Sequence, residues 1–131
     1  MRRMSFSITT RQFRERIKTV TRRLGWARVK AGDRLMAIEK GMGLKLGERQ
    51  VELGVIELVD VRCERLDAID QADVIAEGFP DLDPAGFVEM FLRANPRSPD
   101  PDAPAGVKRA IATTPATMVT RIEYRYLERV Q

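Results

Sequence analysis

Histidine is absent from the 131 residues, and cysteine occurs once, at Cys63. The first absence excludes a Ser-His-Asp or Cys-His catalytic centre, both of which use imidazole to carry a proton. Together the two absences exclude a zinc site of the Cys/His kind, and a single thiol excludes an intrachain disulfide. With no His and no second Cys nearby, Cys63 reads as a small buried apolar residue. No apolar run approaches the roughly 20 residues that a helix needs to cross a bilayer. Met1 to Thr10 has neither a long apolar stretch nor a small-residue cleavage site, so no signal peptide is indicated and a cytoplasmic location is expected. Any chemistry must come from Lys, Ser/Thr, Asp/Glu, Arg or Tyr, or from a hard metal held by carboxylates. Asp67, Asp70 and Asp73 recur every third residue, but solvation of an exposed helix face accounts for them. Neither a metal nor a cofactor is expected.

What is present is unevenly spread. From Met1 to Lys30 there are ten Arg/Lys against one acid, Glu15. From Val61 to Asp102 there are ten Asp/Glu against four Arg. Such polarity suggests a basic surface for a polyanion, and Arg suits bidentate phosphate contacts. Intramolecular pairing with the acidic helices is the competing reading.

The length fits one domain, expected over 1–131. Met4 to Ile8 alternates as a short strand. Thr9 or Thr10 caps a helix whose Phe13 and Ile17 share a buried face, ending near Lys18 to Thr21. A loop with Trp26 follows, then a strand at Leu35 to Ile38. The longest strand signal is Val51 to Cys63, with Val51, Leu53, Val55, Val59 and Val61 on one face and Ile56 and Leu58 on the other. Both faces are expected to be covered, as in a barrel wall packed by helices. A helix over Leu66 to Ala76 ends at Gly78 and Pro80. A second starts at Asp83-Pro84 and buries Phe87 and Phe91. Arg93 to Thr114, rich in proline, reads as a long irregular loop. Met118 to Leu127 closes the chain as a strand, with Tyr124 and Tyr126 on a core face. The fold class is α+β, a small curled β-barrel with flanking helices.

Lys18-Thr19-Val20-Thr21-Arg22-Arg23, then Ala31-Gly32-Asp33-Arg34-Leu35, resembles the ASCH domain family. Its pattern is a K-T-x-T-x-R run followed by a G-D-x-L turn and strand. Leu53 to Val61, Glu77-Gly78-Phe79 and Val119 to Tyr124 continue the resemblance from about Phe6 to Leu127. The stretch at 93–114 departs from it and looks like an insertion. The resemblance implies a PUA-like fold, an RNA or modified-nucleoside partner, and a cleft between the first helix, the following loop and the E-G-F element. One bacterial branch is an amidohydrolase of N4-acetylcytidine. Carried over residue by residue, its Lys, Thr and Glu fall on Lys18, Thr21 and Glu77, and the motif's closing Arg on Arg23.

Those residue types suit the chemistry. A Thr21 hydroxyl becomes a nucleophile when a neighbour takes its proton, and Lys18 serves as that base if burial or nearby cations lower its pKa. Glu77 would hold the amine edge, protonate the leaving amine or orient Lys18. On a helical turn Lys18 and Thr21 would face one side. Arg11, Arg14, Arg22, Arg23 and Trp26 are the candidate ligand or nucleic-acid contacts, with Trp26 able to stack on a base. Each residue also has a structural reading: Lys18 as a phosphate contact, Thr21 as a cap, Glu77 as a surface partner of Arg, Trp26 as a cover for the barrel mouth. Three functions stay open: an amidohydrolase, a non-catalytic RNA-binding module recognising a modified base, and a metal-independent ribonuclease.

Overall fold

The computed structural model describes residues 1–127. In chain order the elements are β1 (Arg3–Ser5), α1 (Thr10–Arg14), β2 (Val20–Arg23), β3 (Arg34–Ile38), β4 (Glu52–Arg65), α2 (Gln71–Ala76), α3 (Pro84–Ala94), β5 (Arg97–Pro99), β6 (Ala110–Ala112) and β7 (Met118–Tyr126). Five strands form one sheet in the order β1-β3-β4-β7-β2, and β5 and β6 form a separate ribbon. β1 runs parallel to β3, and the other ladders are antiparallel. The class is α+β. No ladder joins β1 to β2 among the described residues, so the sheet is not the closed barrel expected from the apolar pattern of β4. No helix among the described residues is long and apolar enough to cross a membrane.

Successive residues of a strand point to opposite faces, and β7 supplies a core on each. Ile122 and Tyr124 join Phe6, Phe13, Leu35, Ile56 and Leu58 under α1. Val119, from the other face, joins Leu66, Ile69, Val74, Phe87 and Phe91 under α2 and α3. The sheet is therefore covered on both sides, but not along β4 as the valines suggested. Ile56 and Leu58 are buried, whereas Val51 and Val59 are more than 40% exposed. The β4–β7 register skips Val59 between Leu58 and Asp60. That bulge turns the remaining alternation over. Cys63, expected to be buried, is exposed.

α1 is shorter than its spacing predicts. It stops at Arg14 because Arg16 adopts φ 58, a left-handed position. Arg16 N–H donates to the Phe13 carbonyl and Ile17 N–H to that of Gln12, the two bonds of a Schellman stop. Ile17 is consequently exposed, not a core partner of Phe13. In the β-branched run Thr19-Val20-Thr21, Val20 and Thr21 become strand rather than helix end. α3 starts as its sequence indicates, with the Asp83 carboxylate accepting from Gly86 N. The helix expected over Leu66 to Ala76 is divided: a 3-10 turn covers Leu66–Ala68, Ile69 is extended, and α2 begins at Gln71, where the Asp70 carboxylate accepts from Asp73 N. The 93–114 stretch is not wholly irregular: α3 runs to Ala94, and β5 pairs with β6 in antiparallel register. Pro99 lies at the end of β5, where a missing donor costs the ladder little.

Candidate active site

β2 is an edge strand, so a neighbouring element can dock beside it. α2 does so: Thr19 N–H donates to the Ala76 carbonyl at 2.8 Å. Gly78 permits the approach. It sits at φ +98, and a Cβ there would lie 2.8 Å from Gln12 Cγ and 3.4 Å from Lys18 Cβ. Only a residue without a side chain lets the chain turn this close to α1. The turn delivers Glu77 to Lys18.

Lys18 and Glu77 are 2% and 3% exposed. The Lys18 ammonium donates to Glu77 Oε1 at 2.8 Å and to the Glu77 carbonyl at 2.9 Å. Arg22 Nη1 donates to the other carboxylate oxygen at 3.1 Å. Burial pushes the Lys18 ammonium below its ordinary pKa, Glu77 opposes that, and Arg23 and Arg22 reinforce it. The contacts hold three buried charges in place, and each fixes the orientation of the next.

Alternation along β2 sorts its side chains. Thr21 pairs with Ile122 and Arg23 with Thr120, on the Phe6 side. Arg22 pairs with Arg121, on the α2 side. There Arg22 Nη2 reaches Glu64 at 2.6 Å and Asp73 at 2.5 Å, while Arg121 grips Asp73 through two nitrogens at 2.6 and 2.9 Å. Burial alone would lower the Arg22 pKa, but Asp73, Glu77 and Glu64 hold it above the usual value. Arg121 first, then Arg22, holds the Asp73 carboxyl well below the carboxylate range. Arg22, expected to contact ligand, borders the same cavity as Glu77 but is 4% exposed with its terminal nitrogens on carboxylates, and its Nη1 orients Glu77.

On the other side, Arg23 Nε donates to Thr21 Oγ1 at 2.9 Å, and its guanidinium lies 4.8 Å from the Phe6 ring centre. The Thr21 oxygen thus already accepts one bond, which leaves its own proton to be given elsewhere. Lys18 precedes β2 and Thr21 lies within it, so they do not share a helical turn as the spacing suggested. They meet instead on the wall of one cavity of about 290 Å³, which Glu77, Arg23 and Trp26 also line. Phe79, Phe87, Met90 and Phe91, from α3 and the turn before it, add an apolar lining.

Arg11 and Arg14 are elsewhere: Arg11 pairs with Glu15 and Arg14 with Glu39, both exposed, and neither lines this cavity. Asp67, Asp70 and Asp73 serve separately, as a partner of Arg65, a helix cap and the acceptor for Arg22 and Arg121. Among the described residues no group of three or more Cys, Asp or Glu is placed to hold a metal. Sequence reasoning missed Asp73, Glu64, Arg121 and the apolar wall of α3. One signal existed: Asp73 and Glu77 are four apart, so a helix carrying Glu77 inward carries Asp73 beside it.

No family model and no curated protein matches this chain. Among solved structures, a protein of Enterococcus faecalis V583 described by the family model DUF984 aligns at a TM-score of 0.48 and 14% identity. The alignment covers 84% of this chain and 61% of the other. A likeness at that level carries no argument about function.

Proposed function

We propose that the protein is a nucleoside- or RNA-directed protein of the ASCH type, PUA-like in fold, that hydrolyses the amide of an N4-acylated cytidine such as N4-acetylcytidine. The reading rests on one observation: Lys18, Glu77 and Thr21 line a single cavity, with Lys18 and Glu77 in direct contact at 2.8 Å.

Neutral Lys18 takes the Thr21 proton as the Thr21 oxygen bonds to the acyl carbon. The Arg23 guanidinium, already on Thr21, stabilises the oxyanion that forms. The C–N bond then breaks, and the proton held by Lys18, relayed through Glu77, passes to the departing cytosine amine. Water attacks the acyl-threonine, returning the proton to the Thr21 oxygen and releasing the carboxylic acid. Burial favours this cycle by lowering the Lys18 pKa, which raises the neutral fraction at a given pH. The apolar wall from Phe79 to Phe91 suits the face of a base and excludes bulk water.

A second reading has an observation in its favour. The Lys18 ammonium already donates to Glu77 Oε1 and the Glu77 carbonyl, which also describes a structural ion pair under a cavity that only binds a modified base. Incubation with N4-acetylcytidine separates the two. Cytidine formation that is lost in Lys18→Ala supports hydrolysis, while saturable binding with no product supports the binding module. A metal-independent ribonuclease would instead shorten RNA in the presence of chelator.

A further inference from the structure

The basic residues before residue 31 meet different fates. Arg3 pairs with Glu52, Arg11 with Glu15 and Arg14 with Glu39, while Lys18 and Arg22 end on buried carboxylates. Arg16 lies over the Tyr126 ring. Arg16 and four others, Arg2, Arg23, Arg28 and Lys30, have no carboxylate partner among the described residues. Of these five, Arg23 and Arg2 lie at the cavity. Arg23 lines it, and its Nη atoms have no protein acceptor among the described residues. Arg2 stacks with Cζ 4.4 Å from the ring centre of Trp26, which lines the same cavity. Positive charge without a direct carboxylate contact is thus gathered at a cavity that Lys18 and Glu77 also line.

The Trp26 ring is held there by its backbone. Gly25 and Trp26 are both left-handed, at φ 73 and φ 58, a rare position for a bulky side chain. The Thr120 hydroxyl donates to the Gly25 carbonyl and fixes the turn. A guanidinium stacked on an indole face keeps its N–H edge free, and that edge matches the oxygens of a phosphate.

We propose that the cavity's ligand is a phosphate ester of the nucleoside, with its base toward Lys18 and Glu77 and its phosphate on the outer edge of Arg2. This rests on the nucleoside reading of the cavity above and adds the phosphate. The ester is either a mononucleotide or a nucleotide within RNA.

The test does not need turnover. Trp26 is the sole tryptophan, so its fluorescence reports this site. Titrations compare cytidine, cytidine 5′-monophosphate, cytidine 3′-monophosphate and a short oligocytidylate. At low salt one of the phosphates binds roughly tenfold more tightly than cytidine, the size of one charge-assisted hydrogen bond. The advantage disappears in Arg2→Gln, persists in the exposed-site control Lys108→Ala, and shrinks with added salt. Arg2 contributes its backbone carbonyl to Met36, so the substitution leaves that bond intact. A further gain with the oligomer assigns the phosphate to RNA, and equal binding assigns it to a mononucleotide. Cytidine binding as tightly as both monophosphates, or an undiminished advantage in Arg2→Gln, overturns the proposal. Phosphate-dependent binding without amide hydrolysis would remove the enzymatic reading alone.

Discussion

Lys18 and Glu77, 59 residues apart in the chain, form a buried ion pair in which one ammonium meets both the carboxylate and the backbone carbonyl of the same residue. The carbonyl closes the last turn of α2, where helical carbonyls lack partners and a cation is favoured. Arg22 completes the carboxylate. The pair therefore stabilises the docking of α2 on β2 and also sets the geometry of the cavity wall.

Removing one partner leaves the other charge buried. Lys18→Met is expected to lower unfolding free energy by about 3 kcal/mol, toward the lower end for broken buried pairs because Arg22 still neutralises Glu77. Denaturant melts check this. The double variant Lys18→Met/Glu77→Leu should recover part of the loss. No recovery would mean that the two residues act independently.

Gly78→Ala places a methyl group within 2.8 Å of Gln12 Cγ at a backbone angle of φ +98. The expected cost is about 1–3 kcal/mol. Adding Gln12→Ala relieves the clash but not the backbone strain, so the double variant should regain only part of the stability, as thermal melts would show.

Acid should weaken the fold partly through Asp73. Its folded pKa is depressed by Arg121 and Arg22. The stabilisation it brings is complete above the unfolded carboxyl value, near 4, and is lost as pH falls below it. Asp73→Asn should be less stable at neutral pH, and its stability should fall less steeply with acid than that of the parent. Parallel slopes in denaturant melts across that range would remove Asp73 from the account.

Lys18 carries the opposite sign. Its folded pKa lies below 10.5, so in the window between the two values the unfolded chain binds more protons and stability rises with pH. The hydrolytic reading uses the same shift: the rate rises with pH as Lys18 loses its proton, on a limb below 10.5. Rate–pH profiles check this, and a rate that falls across that limb would contradict the base role.

Much of the local structure was legible because it depends on short-range chemistry. Asp83-Pro84 started α3, Gly78 ended α2, and Tyr124 lay in the core, as caps, left-handed stops and alternation indicate. The convergence of Lys18, Thr21 and Glu77 was expected from resemblance rather than from spacing, and the spacing argument itself placed them on a helix that ends at Arg14. The β4 faces were misread because Val59 bulges, an event set by pairing with β7 and not written in β4. The carboxylate partners of Arg22 were missed for a similar reason. Three carboxylates from β4 and α2 meet it only in three dimensions, and no local pattern distinguishes a buried Arg from an exposed one.

The most direct measurement is acetate release from N4-acetylcytidine by the wild-type protein, beside Thr21→Val and Thr21→Ser. The account predicts release by the wild type, none above the uncatalysed rate by Thr21→Val, and partial release by Thr21→Ser, which keeps the hydroxyl. Equal release by Thr21→Val, or none by the wild type, would contradict the claim that this cavity wall is a hydrolytic site.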